Sequence, residues 1–220
     1  MTAAKPDTAL QATFTAPVAS FRNPLYTGMQ IGLPCPPPST VGGMLAAAAG
    51  GWQHISPTFQ FAMAFHAQGH GVDLETYHPL DAKGRPTTPV PKDREFLAFP
   101  TLTVWITDQP DRWHHILRRP TWPLRLGRSQ DLVGLHLEAI ELAQDAGQQR
   151  SAVVQDMPGT SGTALRLPTA IRLDRTRTLW GTYRHDPTGT ASTTVPDSYR
   201  TPTGQAVSPL PPTHPAAAET

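Results

Sequence analysis

Only one cysteine, Cys35, occurs in the 220 residues, which excludes an intramolecular disulfide and a cysteine-based zinc site. The chain also lacks a charge excess. Its 18 Lys and Arg face 17 Asp and Glu, for a net charge of +1, which by itself neither attracts nor repels a polyanion. Long apolar runs are missing as well: the longest helical one, near Val41–Ala49, falls far short of the ~20 residues that span a bilayer. The first twenty residues include Lys5, Pro6 and Asp7 and no continuous apolar stretch, so no signal peptide is expected. Gly159-Thr160-Ser161-Gly162 has no following Lys, which removes the basis for a phosphate loop and nucleotide hydrolysis. These absences predict a cytoplasmic protein with no cofactor and no membrane partner.

What the chain does have is unevenly distributed. Its 25 prolines cluster at Pro34–Pro38, Pro86–Pro91 and Pro202–Pro215, marking loops and a tail rather than the interiors of elements. Residues 1–110 carry 6 Lys/Arg against 7 Asp/Glu, residues 111–185 carry 11 against 7, and residues 186–220 carry 1 against 3. All 11 cations of the middle stretch are arginines, whose planar fork suits phosphate oxygens. A GC-rich coding bias would produce the same skew, so it permits nucleic-acid binding without requiring it.

Hydrophobic periodicity gives the elements. Leu10, Ala12 and Phe14 alternate with polar neighbours, as do Phe59, Phe61, Met63 and Phe65, and Leu102, Val104 and Ile106; each pattern predicts a strand. Val41, Met44, Leu45 and Ala48 make one helical stripe, with Ser39 or Thr40 as the expected cap and Gly50-Gly51 as the stop. Trp113, Ile116 and Leu117 make a second stripe, capped by Asp108 and halted by Pro120, before a strand near Leu135–Leu142. The order β-α-β, excursion, β-α-β predicts an α+β, ferredoxin-like (RRM-like, split βαβ) domain over residues 1–149. A protruding hairpin is expected at 69–95, a small accessory β segment at 150–185, and a Pro-rich tail at 186–220 that is extended or disordered for want of anything to bury.

Two stretches are more specific. One runs from Phe21-Arg22-Asn23-Pro24 through Leu33-Pro34-Cys35-Pro36-Pro37-Pro38-Ser39-Thr40-Val41-Gly42-Gly43. The other is Leu124-Arg125-Leu126-Gly127-Arg128-Ser129-Gln130-Asp131. In physical terms, the prolines fix the entry of a helix whose N-terminus is a natural phosphate seat. Gly42 would allow close backbone approach, and Gly127 would bend the chain to project Arg128. The bland readings are a well-capped core helix and a surface turn with a solvated arginine. Together the two stretches resemble the Cas-five family of CRISPR effector complexes, closest in appearance to type I-B.

The resemblance implies a non-catalytic Cascade subunit that binds the 5′ handle of the crRNA through Arg22, Ser39, Thr40, Gly42, Arg125, Arg128, Ser129 and Gln130. It also implies a hairpin whose Lys83, Arg85, Lys92 and Arg94 meet the guide–target duplex or a neighbouring subunit. The implied partners are a Cas-seven backbone subunit, a Cas-eight large subunit, and target DNA in the assembled complex, in antiviral defence. Two alternatives stay open: a metal-independent endoribonuclease that processes precursor crRNA, and a general single-stranded RNA-binding module. For the first, His114, His115 and Tyr26 are the candidate residues, but no Lys stands beside the histidines. For the second, the aromatic strand signature is absent. No catalytic or metal-binding residue is expected; His66, His70, His78 and His185 read as surface or satisfied core histidines.

Overall fold

A computed structural model describes residues 7–26 and 31–219. In chain order the strands and helices are β1 (Thr8–Thr15), β2 (Val18–Ala19), α1 (Pro38–Ala49), β3 (Ala62–His66), β4 (Gly69–Tyr77), β5 (Val90–Ala98) and β6 (Thr101–Ile106). They continue with α2 (Pro110–Arg118), β7 (Gly134–Glu141), β8 (Ala152–Gln155), β9 (Thr163–Ile171), β10 (Thr178–His185), β11 (Tyr199–Arg200) and β12 (Ala206–Val207). The fold is mixed α/β and dominated by one antiparallel sheet of order β7-β1-β6-β3-β8-β10-β9.

Alternation along the central strands decides the two faces of that sheet. Leu10, Ala12 and Phe14 pair across from Ile106, Val104 and Leu102, and all six are buried with Met63 and Phe65 under the helices. Full burial of each large side chain contributes about 1.5–3 kcal/mol. The helix α1 supplies Val41, Met44, Leu45 and Ala48 to that core, as its stripe predicts, and Gly50 ends it in the left-handed conformation at φ 89°. The opposite face is dry only in part: Ala9, Ala62, Ala64 and Trp105 pack with Leu142 and Val207.

Several expectations change. Neither Ser39 nor Thr40 caps α1; Pro37 occupies the cap position, Pro38 begins the helix, and no side chain bonds there. Proline at the first helical position suits a fixed φ near −65° and a missing N–H. Likewise Gln109, not Asp108, precedes α2, in a left-handed conformation at φ 52°. Phe59 and Phe61 are buried but lie ahead of β3.

Residues 150–185 are not an accessory layer. Strand β8 pairs with β3 through Met63↔Val153 and carries β10 and β9 as an extension of the main sheet, with Val153, Leu167 and Tyr183 in the principal core. The tail also finds apolar surface to cover. Val195, Ala206, Val207 and Leu210 are fully buried, and the Leu210 N–H donates to the Phe61 carbonyl at 2.9 Å while Gln60 Nε2 donates to the Leu210 carbonyl at 2.9 Å. Its apolar residues are too sparse to show a period, yet Val195 and Ala206 pack together against Ala152 and Val154, while Val207 and Leu210 join the other two clusters.

The excursion is a hairpin in which β4 and β5 pair from Gly69↔Ala98 out to Tyr77↔Val90. At its base β2 adds a third strand through Val18↔Ala98 and Ala19↔Leu97.

Candidate nucleic-acid interface

The two singled-out stretches meet at a glycine. Gly127 has φ 100°, and a Cβ on it would lie 2.6 Å from the Ser20 carbonyl oxygen and 3.1 Å from the Ser20 nitrogen. Only a residue without a side chain tolerates both the dihedral and the backbone approach. The turn that carries Arg128 is thereby seated directly beside the segment that carries Arg22.

That segment is a small ladder of its own. The Leu33 N–H donates to the Phe21 carbonyl at 2.7 Å and the Asn23 N–H to the Ile31 carbonyl at 2.9 Å. Phe21 points inward, edge-on to Phe65 with ring centroids 5.7 Å apart, which leaves its neighbour Arg22 exposed. Gln30, between Pro24 and Leu33, lies outside the described residues. Glu95, near the base of β5, ties the ladder to the hairpin: its carbonyl accepts from Ser20 Oγ at 2.7 Å and its Oε2 accepts from the Gly32 N–H at 2.8 Å. Between this loop and the hairpin base lies a cavity of about 510 Å³, lined by Phe21, Leu33, Val72 and Leu97 and backed by Phe65 and His185.

The turn itself closes through Asp131. Its backbone N–H donates to the Arg128 carbonyl at 3.1 Å, and its carbonyl accepts from the Leu126 N–H at 3.0 Å. The buried carboxylate accepts from the Arg128 N–H at 3.2 Å and from Arg128 Nε at 3.0 Å. Arg128 therefore does not project outward; its side chain is only 14% exposed and is gripped from behind by an acid three residues on. Asp131 is the residue that sequence reasoning missed, although an Arg and Asp three apart around a glycine bend are a readable signal. Arg125, Ser129 and Gln130 are exposed around the same turn, with Arg125 bridged to Leu132.

The start of α1 is poorer in donors than expected. Pro36, Pro37 and Pro38 have no N–H, and the N–H groups of Thr40 and Val41 both go to the Pro37 carbonyl, at 2.9 and 3.3 Å. Of the four N–H groups a helix start usually offers, Ser39 alone keeps an open one among the described residues. Gly42 is not a landing place for a second backbone. It is buried beneath the chain's own tail, where an added Cβ would lie 2.8 Å from Thr213 Cβ and 3.3 Å from Trp52. His214 continues that contact, edge-on to Trp52 and with Nε2 3.2 Å from the Trp52 carbonyl.

The hairpin cations divide into two pairs. Lys83 and Arg85 sit at the exposed tip, where Asp81 Oδ1 accepts both their backbone N–H groups, at 2.8 and 2.9 Å. Arg94 pairs with Glu75 at 2.7 Å across the strands, and Lys92 lies 5.1 Å from the Tyr77 ring centroid.

Of the histidines, His185 is buried, with Nε2 3.0 Å from the Phe65 carbonyl and Nδ1 without a partner. A carbonyl accepts only, so the proton sits on Nε2. Burial pushes its pKa below the ordinary value, against weaker opposing help from the Phe65 carbonyl and Asp186. No three His, Cys, Asp or Glu side chains among the described residues are grouped to hold a metal. Cys35 is buried in the core, where desolvation raises its thiol pKa far above the ordinary range. No helix among the described residues is long and apolar enough to cross a membrane.

The fold is similar to that of solved CRISPR proteins. The chain is similar to a solved "CRISPR RNA-guided surveillance complex" chain at TM-score 0.57 and 19% identity, covering 90% of this chain and 93% of that one. It is also similar to "a CRISPR protein from Archaeoglobus fulgidus" at TM-score 0.54 and 13% identity, covering 91% and 98%. No curated protein matches the sequence. The chain belongs to the family described as CRISPR-associated protein (Cas_Cas5), whose model matches residues 9–208.

Proposed function

We propose that this protein is a non-catalytic subunit of a type I Cascade complex, of subtype I-B by closest appearance, and that it holds the 5′ handle of the crRNA. The observation that carries this reading is the Gly127–Ser20 contact, which joins the Arg22 ladder and the Gly-Arg-Ser turn into one surface. Phosphates would lie against exposed Arg22 and Arg125 and against Arg128, whose guanidinium Asp131 holds in one orientation. Ser129, Gln130 and the Ser39 N–H would add neutral bonds to phosphate or 2′-hydroxyl oxygens. Gly42 takes no part, since the tail covers it. The four strands β7-β1-β6-β3, with α1 and α2 between them in sequence, support a ferredoxin-like core.

In this reading the hairpin tip, with Lys83 and Arg85, reaches the guide–target duplex or the neighbouring Cas-seven subunit. A Cas-eight subunit and target DNA complete the assembly, in which base pairing reads sequence and this protein reads backbone shape. The test is an RNA footprint of the assembled complex. Arg22→Ala with Arg125→Ala should lose protection of the handle while the rest of the guide stays protected; unchanged handle protection would sink the site. Cleavage of repeat RNA by the lone protein in EDTA would instead establish the endoribonuclease reading.

A further inference from the structure

Four basic side chains, His114, His115, Arg118 and Arg119, gather around the C-terminal end of α2 beside the edge strand β7, away from Asp111 in the helix's first turn. His114 and Arg118 rim a groove of about 370 Å³ whose floor is Leu117, Leu135 and Leu137, while the adjoining His136, paired with Thr13, turns its side chain to the opposite face of the sheet. On the other side of Arg118 a second depression, of about 360 Å³, is lined by His115, Arg118 and Arg119. Neither contains an Asp or Glu. None of the four side chains forms an ion pair or hydrogen bond among the described residues, and the two imidazoles meet only each other, edge to face at 6.1 Å. Arg94, Arg128, Arg172, Arg184 and Arg200, by contrast, each have a carboxylate within 3.1 Å.

A cation in the last turn of a helix is favoured by the helix dipole, and His115 and Arg118 occupy that turn. The dipole does not account for the absence of carboxylates from both grooves. Trp122, 61% exposed, follows three residues after Arg119. Arginine forks match phosphate oxygens, while imidazole, leucine and indole surfaces accept the faces of bases.

We propose that the α2–β7 strip is a second nucleic-acid contact, binding the sugar-phosphate backbone of a single strand without regard to sequence. It goes beyond the handle site and does not depend on it. Binding of the full chain to a fluorescein-labelled oligouridine of about fifteen nucleotides, followed by anisotropy between about 50 and 300 mM KCl, tests it. Each phosphate neutralised on a single strand adds about −0.7 to the slope of log K against log salt. Arg118→Gln with Arg119→Gln should therefore lower the slope magnitude by about 1.4, at an unchanged melting temperature, and Arg118→Lys with Arg119→Lys should restore it. An unaltered slope in the glutamine variant overturns the proposal, as does failure of the wild-type chain to bind the oligouridine. Polyglutamate that competes at equal charge would overturn it too, placing an acidic protein on the strip. Loss of handle protection in the Arg22/Arg125 variant beside an unaltered slope in the Arg118/Arg119 variant would leave the handle reading standing without this one.

Discussion

Adjacent glycines in α1 give a sharp test of what the tail does. In a helix interior Ala is favoured over Gly by about 1 kcal/mol, so both Gly42→Ala and Gly43→Ala begin with the same gain. At Gly43 a Cβ meets nothing within 4 Å, and the gain should be realised. At Gly42 the Cβ would be 2.8 Å from Thr213 Cβ and 3.3 Å from Trp52, well inside the ~3.5–4.0 Å optimum between carbons. Overpacking of this kind costs about 1–3 kcal/mol. The propensity gain cancels in the comparison, leaving Gly42→Ala less stable than Gly43→Ala by about 1–3 kcal/mol. At about 2–4 °C per kcal/mol for a chain of this size, thermal melts followed by circular dichroism should separate the two variants by about 2–12 °C. Thr213→Gly in the Gly42→Ala background should close most of that gap, as a coupling between touching residues requires. Equal melting temperatures would refute the tail's role, and if Gly42→Ala then lost handle binding alone, the glycine would be facing RNA after all.

Two further outcomes follow from the same geometry. Gly127→Ala should lower stability by more than the ~1–2 kcal/mol cost of a left-handed residue, because the clash is with Ser20 backbone; a melt as high as wild type would contradict the seating of the turn. His185 has its pKa depressed by burial from 6.5, so the unfolded chain binds its proton more readily. Stability should accordingly rise with pH up to about 6.5 and fall below it, by at most ~1.4 kcal/mol per pH unit from this group. His185→Phe should flatten that part of a urea-denaturation profile, and an unchanged acid slope would assign it elsewhere.

How much of this was legible in the sequence depended on period. The strands around Ala12, Met63 and Val104 and the α1 stripe were readable because one buried face repeats at 2 or 3.6 residues. The start of β9 at Thr163 was not, because Thr163–Leu165 faces outward for most of its length and follows a Gly-rich turn. Tail burial left no signature, since Val195, Ala206 and Leu210 are spaced irregularly among prolines and threonines. For the candidate interface, composition located the arginines but not their partners. Arg125 and Arg128 are three residues apart and look alike in sequence, yet Arg128 is held by Asp131 and Arg125 stands in the open.

The closure over α1 also sets an order of events during synthesis. His214 meets Trp52 across 162 residues of chain, and Thr213 covers Gly42 beside it. Contacts that distant in sequence form last, after the loop entropy of the whole domain has been spent. While the chain is still emerging from the ribosome, α1 has its neighbours on the sheet but not its cover, and the Gly42 face stays wet. The helix that begins the most recognisable stretch of the sequence is thus finished by residues beyond 208, where the family match stops. A fusion or truncation in those last residues would alter a surface encoded near the beginning.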